Sequence, residues 1–159
     1  MTLTLVVLTF VGCADAGEPA VVAVGSPAPR FRLRALDGRT VESGSLKGRP
    51  VVLNFWATWC APCLQEIPEL KGLAAGGSAQ VVGVALDEGG PDAVRRFVEQ
   101  HGINYTVLLG DEETFTRFDG VGIPYTLLLD SSQRVVKIYR GTTTREALER
   151  DLKAAGRGD

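Results

Sequence analysis

Two cysteines three residues apart, Cys60 and Cys63, stand in the run Trp59-Cys60-Ala61-Pro62-Cys63. Residues spaced by three on a helix share a face, with Cβ atoms about 5–6 Å apart. A small rotation brings such a pair within the roughly 3.5–4.5 Å that a disulfide requires. Dithiol and disulfide are thus both within reach of one backbone. If Cys60 opens a helix, the unpaired N–H groups and the helix dipole there favour its thiolate, the form that attacks a disulfide. Pro62 suits the first helical turn, where no hydrogen bond is lost. The spacing predicts dithiol–disulfide exchange, with Cys60 as the exposed, low-pKa nucleophile. Cys63, one turn deeper, then resolves the mixed disulfide.

Other uses of the pair fit less well. A structural zinc site needs four ligands, and beyond this pair only Cys13 and His101 remain as cysteine or histidine. No metal is therefore expected. A purely structural disulfide across three residues closes too small a loop to stabilise much. A binding module stays open as an alternative, either a thiol chaperone or a carrier that holds Cu(I) between the two soft sulfurs.

The 159 residues suit one domain with a real core. Seventeen Lys and Arg against 19 Asp and Glu give a net charge of −2 and no basic stripe, so nucleic acid is not an expected partner. A single histidine leaves no room for a His-based triad, and three cysteines are too few for a disulfide framework.

The N-terminal segment stands apart. Residues 3–11 are apolar except for Thr4 and Thr9. The run is far shorter than the ~18 residues of a membrane span and has the length of a signal-peptide core, although no Lys or Arg precedes it. Phe10-Val11-Gly12-Cys13 resembles a bacterial lipobox, with Cys13 as the lipidated residue, while Ala14-Asp15-Ala16 offers an ordinary cleavage site. Either way the domain works outside the cytoplasm. The expected division is a signal peptide over 1–12, a flexible tether over 13–24, a domain over 25–155 and a tail over 156–159. A tether of about a dozen residues can reach on the order of 40 Å.

Several elements must position the cysteines. A strand over 31–36 turns at Asp37-Gly38 and returns at 40–41. Residues 51–56 are nearly all apolar, as in a central strand buried on both faces. A helix over 61–75 follows, with a kink expected at Pro68. Then come a strand over 80–86, a helix over 91–101 ending at His101, a strand over 105–109 and a helix over 111–118. Strands over 126–129 and 135–139 form a hairpin. Thr143-Thr144-Arg145-Glu146 reads as a capping box for the last helix. The pattern is that of an α/β domain whose mixed sheet is covered on both faces.

The segment Asn54-Phe55-Trp56-Ala57-Thr58-Trp59-Cys60-Ala61-Pro62-Cys63, with Glu66-Ile67-Pro68 after it, resembles the active-site segment of TlpA/ResA-type thioredoxin-like proteins. Gly25-Ser26-Pro27-Ala28-Pro29-Arg30-Phe31, Asp37-Gly38 and Leu46-Lys47-Gly48 extend the likeness, which covers residues 25–155. The resemblance implies a thioredoxin-like fold, a central mixed β-sheet flanked by helices. An N-terminal β-hairpin and a TlpA/peroxiredoxin-type insertion over 81–111 are implied as well. It further implies a membrane-anchored, extracytoplasmic, monomeric reductase of disulfide-containing or apocytochrome-type proteins. Several members serve cytochrome c maturation. An upstream membrane thiol reductant would recharge the pair, and no cofactor beyond the Cys60–Cys63 couple is implied. A peroxiredoxin-like peroxidase is a second enzyme reading, against which Thr58 stands two residues before Cys60 rather than three.

Gly122-Ile123-Pro124 resembles the cis-proline loop of the family, which implies that Ile123 and Pro124 lie beside the cysteines and meet substrate. Tyr125 replaces the usual threonine and is expected to alter that groove. Trp56 and Trp59 are expected to pack, with Trp59 shielding Cys60 and bordering the substrate. Glu66 falls three residues after Cys63 on the same helical face. A carboxylate there would raise thiol pKa values and could take the Cys63 proton. Asn54 stands where plain thioredoxin carries an acid, which leaves Glu66 as the expected proton handler.

Overall fold

The structure, a computed structural model, describes residues 21–156. The expected signal peptide, Cys13, most of the tether and nearly all of the tail lie outside the described residues.

Seven strands form one sheet in the order β2-β1-β5-β4-β3-β6-β7. They are β1 (Arg32–Ala35), β2 (Thr40–Glu42), β3 (Val51–Trp56), β4 (Gln80–Ala85), β5 (Thr106–Leu109), β6 (Tyr125–Leu129) and β7 (Val135–Arg140). Strands β3, β4 and β5 run parallel, while β1, β2, β6 and β7 join antiparallel at the two sides. Helices α1 (Ala61–Gly76), α2 (Pro91–His101), α3 (Glu112–Arg117) and α4 (Arg145–Ala155) connect or follow them. This is the thioredoxin-like mixed sheet that the sequence implies, with the β1–β2 hairpin and the β4–α2–β5 stretch in place.

Strand β3 is buried along its whole length. Val51, Leu53 and Phe55 face a core shared with Phe31, Leu33, Phe118 and Tyr125. Val52 faces the other side, with Leu70, Leu73, Leu128 and Leu148. Trp56 continues that second face among Cys60, Cys63 and Val94. Each such side chain contributes about 1.5–3 kcal/mol when fully buried. A strand clamped on both faces fixes where its carboxyl end lies. That end delivers the chain to α1, so the cysteines inherit a rigid base.

Gly83 is central to the second face. It pairs with Asn54 of β3 and Val107 of β5. A Cβ there would fall 2.8 Å from Trp56 Nε1 and 3.1 Å from Tyr105 Cε2. The missing side chain thus admits two large rings beneath the helices. Trp56 Nε1 is buried without an acceptor.

Helix α1 carries Pro68 within it and ends within a residue of the expected bound, where Gly77 adopts φ 69°. Two other boundaries differ from expectation. The final helix is capped one residue later than the sequence pattern suggests. Thr144, not Thr143, accepts the Ala147 N–H at 3.2 Å, so the expected Thr143–Glu146 box does not form. The chain is also fixed before residue 25. Val22 is buried beside Phe31 and Phe118, Gly25 donates to the Val135 carbonyl at 2.7 Å, and Val135 donates back to Ser26 at 2.9 Å. The expected tether therefore ends in a packed arm, because apolar Val22 finds an open place in the core.

Candidate active site

The turn between β3 and α1 is tied down before the first cysteine. Thr58 donates its backbone N–H to the Asp87 carboxylate at 3.1 and 3.2 Å, and its hydroxyl to Asp87 Oδ1. Asp87 follows β4, so two adjacent parallel strands share one clasp at their carboxyl ends. Sequence reasoning missed Asp87, whose only signal was an acid placed directly after a buried strand.

Cys60 is the N-cap residue of α1, in extended conformation. Its Sγ accepts the Cys63 backbone N–H at 3.3 Å, and a disulfide joins the two residues. An N-cap side chain that accepts from the first turn satisfies a donor that the helix cannot. The same N–H would stabilise negative charge on that sulfur after reduction. Pro62 occupies the first turn, as expected.

In the disulfide the two sulfurs are almost equally enclosed. Cys60 is 5 % exposed and Cys63 3 %, so in the disulfide form the first cysteine is nearly as buried as the second. The disulfide-bonded Cys60 lies in a cluster with Trp56, Ala57 and Val94. Trp59, expected to pack, instead stands 71 % exposed beside the disulfide, while Trp56 is the packing tryptophan.

Ile123 packs against the same cluster, which brings the loop before β6 to the cysteines. The Ile123–Pro124 bond is cis, as the resemblance implied. Pro124 is buried, and its carbonyl accepts the Gly141 N–H at 2.9 Å. Tyr125 does not line the groove. Its ring lies in the opposite core and its hydroxyl donates to the Phe118 carbonyl at 2.9 Å. Strand alternation explains this, since a one-residue step reverses the face.

Glu66 is 1 % exposed, which excludes a solvated helix residue. Asn54 Nδ2 donates to Oε2 at 2.9 Å, and the Thr143 N–H donates to Oε1 at 3.1 Å. The Thr126 hydroxyl also bonds to the carboxyl and accepts Asn54 Nδ2 at 2.8 Å. Burial nevertheless outweighs these donors and pushes the Glu66 pKa up to about 7. Burial and then the Glu66 charge push the nearby Tyr105 phenol upward too. Thr126, Thr143 and Tyr105 carried no local sequence signal for this cluster. Among the described residues no group of three or more His, Cys, Asp and Glu comes together to hold a metal.

A redox dithiol at a helix N-terminus, fed by a buried parallel strand and underlain by a buried carboxyl, defines a thioredoxin-like thiol–disulfide oxidoreductase. The chain belongs to the Redoxin family, whose model matches residues 23–155, and within it to the ResA-type thiol–disulfide oxidoreductases. It is 36 % identical over 140 residues to the thiol-disulfide oxidoreductase ResA of Geobacillus thermodenitrificans, covering 86 % of this chain and 80 % of that one. A solved structure of a putative thiol:disulfide interchange protein DsbE from Chlorobium tepidum superposes with a TM-score of 0.77 at 31 % identity. That match covers 84 % of this chain and 98 % of the other. A secreted Mycobacterium tuberculosis disulfide oxidoreductase homologous to Escherichia coli DsbE superposes with a TM-score of 0.69 at 26 % identity, covering 78 % and 95 %.

The raised Glu66 pKa makes a stability prediction. Its unfolded carboxyl titrates near 4.5 and its folded one near 7. Between those values the native state keeps a proton that the unfolded chain has released. Stability should therefore fall as pH rises through this window and level off above it. The wild type should lose on the order of 3 kcal/mol relative to Glu66→Gln across the window. Urea unfolding of both oxidised proteins from pH 4 to 8 checks this. Parallel stability curves would contradict it.

Proposed function

We propose that this oxidoreductase is an anchored, extracytoplasmic reductase of protein disulfides. Cys60 is the attacking sulfur, Cys63 the resolving one, and Glu66 the acceptor of the Cys63 proton. The observation that carries the assignment is the Cys63 N–H directed at Cys60 Sγ from the first turn of α1. Once reduced, Cys60 is the sulfur best able to hold a negative charge.

The reaction transfers two electrons. Cys60 thiolate attacks a substrate disulfide, forms a mixed disulfide and expels one substrate sulfur as thiolate. Cys63 passes its proton to Glu66 and attacks Cys60 Sγ, which expels the second substrate sulfur. The chain is left oxidised, as Cys60 and Cys63 are in this structure. A membrane thiol reductant would restore the dithiol. Trp59, Ile123 and Pro124 border the path of the incoming disulfide.

Glu66 also supports the reducing direction. A dithiol becomes strongly oxidising when its reduced, thiolate form is stabilised. A carboxylate on the adjacent turn opposes a second negative charge and works against that. Proteins of apocytochrome type are the substrate class suggested by the family likeness of the CxxC segment, and cytochrome c maturation is the corresponding role. Export is supported by the apolar run over residues 3–11 and by the secreted relative at 26 % identity. No helix among the described residues is long and apolar enough to cross a membrane. Attachment is assigned to lipidated Cys13.

Two experiments test this reading. The reduced protein should reduce insulin disulfides, and iodoacetamide should modify Cys60 before Cys63. Faster labelling of Cys63 would reverse the assignment. In bacterial cells the full chain should fractionate with membranes, and Cys13→Ala should release it. An unmodified mature terminus at Gly17 would show simple secretion instead.

A further inference from the structure

The loop beside the disulfide is fastened unevenly. Ile123 packs against the Cys60–Cys63 cluster, so residues 121–123 form one border of the disulfide. Val121 is 90 % exposed there, next to open space at Gly122. At one end of the loop, Pro124 is held by Gly141. Among the described residues no hydrogen bond fastens Val121, Gly122 or Ile123. Beyond the packing of Ile123, the other end is what holds this edge.

That end is Asp119, a non-glycine residue at φ 53°. Such a conformation persists where the surroundings impose it. The surroundings here are specific. Asp119 Oδ2 accepts the Val22 backbone N–H at 2.6 Å, across 97 residues of sequence. Asp119 and Gly120 donate their own N–H groups to the Thr116 and Phe115 carbonyls at 2.9 and 3.0 Å. A Cβ on Gly120 would lie 2.1 Å from the Phe115 ring, so the chain passes close against that ring with no room for a side chain. The arm that brings Val22 here is itself anchored through Gly25, Ser26 and Ala28 to Val135 and Gln133.

We propose that Asp119 is a positioning residue for substrate binding. Its carboxylate fastens the N-terminal arm at Val22 to the loop bordering the disulfide and so fixes the edge that a disulfide-bearing chain must meet. The inference rests on the assignment of Cys60 and Cys63 as the exchange site. Asp119 touches neither sulfur and takes no part in proton transfer. Its influence is on how much of the population presents a competent loop, and a fractional population weakens apparent affinity in proportion.

Two substitutions remove the contact from opposite sides. Asp119→Gly removes the carboxylate while accommodating the positive φ. Val22→Pro removes the donating N–H. Asp119→Asn retains an acceptor oxygen and Val22→Ala retains the N–H, so these serve as the conservative pair. Steady-state reduction of a disulfide-bonded peptide is measured for the full chain together with the rate of Cys60 alkylation. Asp119→Gly and Val22→Pro should each raise KM roughly three- to tenfold. Their kcat and Cys60 alkylation should move by less than about twofold, and the conservative pair should recover most of the KM. Either disruptive variant suffices if the other fails to fold. An unchanged KM would overturn the proposal, as would equal changes in KM and Cys60 alkylation, which indicate general loosening. A wild-type protein without reductase activity would defeat the exchange-site assignment and the proposal together.

Discussion

Burial of the Glu66 carboxyl is the constraint on which the rest of this structure turns. Three elements lend donors to one side chain of α1: Asn54 from β3, Thr126 from β6 and the Thr143 backbone from the segment before α4. An unpaired buried charge is costly, so each donor is needed where it is. The consequences run through the fold. Helix α1 is registered over the centre of the sheet, and the β7–α4 connection is drawn against it. The Thr143 N–H goes to Glu66 rather than to Glu146 in a capping box, and α4 is capped by Thr144. Even so, the donors do not outweigh desolvation, and the carboxyl is left with a proton affinity near neutrality.

That balance is what the proposed mechanism draws on. A group that titrates near pH 7 can accept a proton in one step and return it in another. Glu66 sits one helical turn beyond Cys63, while Cys60 lies at the helix end with a backbone N–H directed at its sulfur. The two cysteines thus differ in environment although both are buried in the disulfide. Cys60 lies at the helix terminus, while Cys63 lies inside the first turn on the Glu66 side, and the proposed division of roles rests on that difference. Strand β3 supplies the shared base, because its clamped end sets Cys60 in place and its Asn54 reaches Glu66 directly.

The parts legible in the sequence were those with short range. The dithiol, the buried β3 run, helix α2 and the proline loop are written in consecutive residues or in a family segment. The face of Glu66 followed from its spacing after Cys63. Its donors did not, because Thr126 and Thr143 are 60 and 77 positions away and are ordinary threonines until the sheet closes. Asp87 was missed for the same reason, lying 29 positions from Thr58. Tyr125 and Trp59 were misjudged because identity alone does not say which face a side chain takes. Tyr125 turns into the opposite core, and Trp59 stands in solvent. Val22 looked like part of a tether, since its partners Phe31 and Phe118 become neighbours only on folding.

The most direct test is a site-resolved titration of Glu66 itself, by carbon NMR of the labelled carboxyl in the oxidised protein. A midpoint near pH 7 is predicted, with Asn54→Ala raising it further, because loss of a donor leaves the anion less stabilised. A midpoint near 4.5, unmoved by Asn54→Ala, would show an ordinary solvated carboxyl and contradict the account.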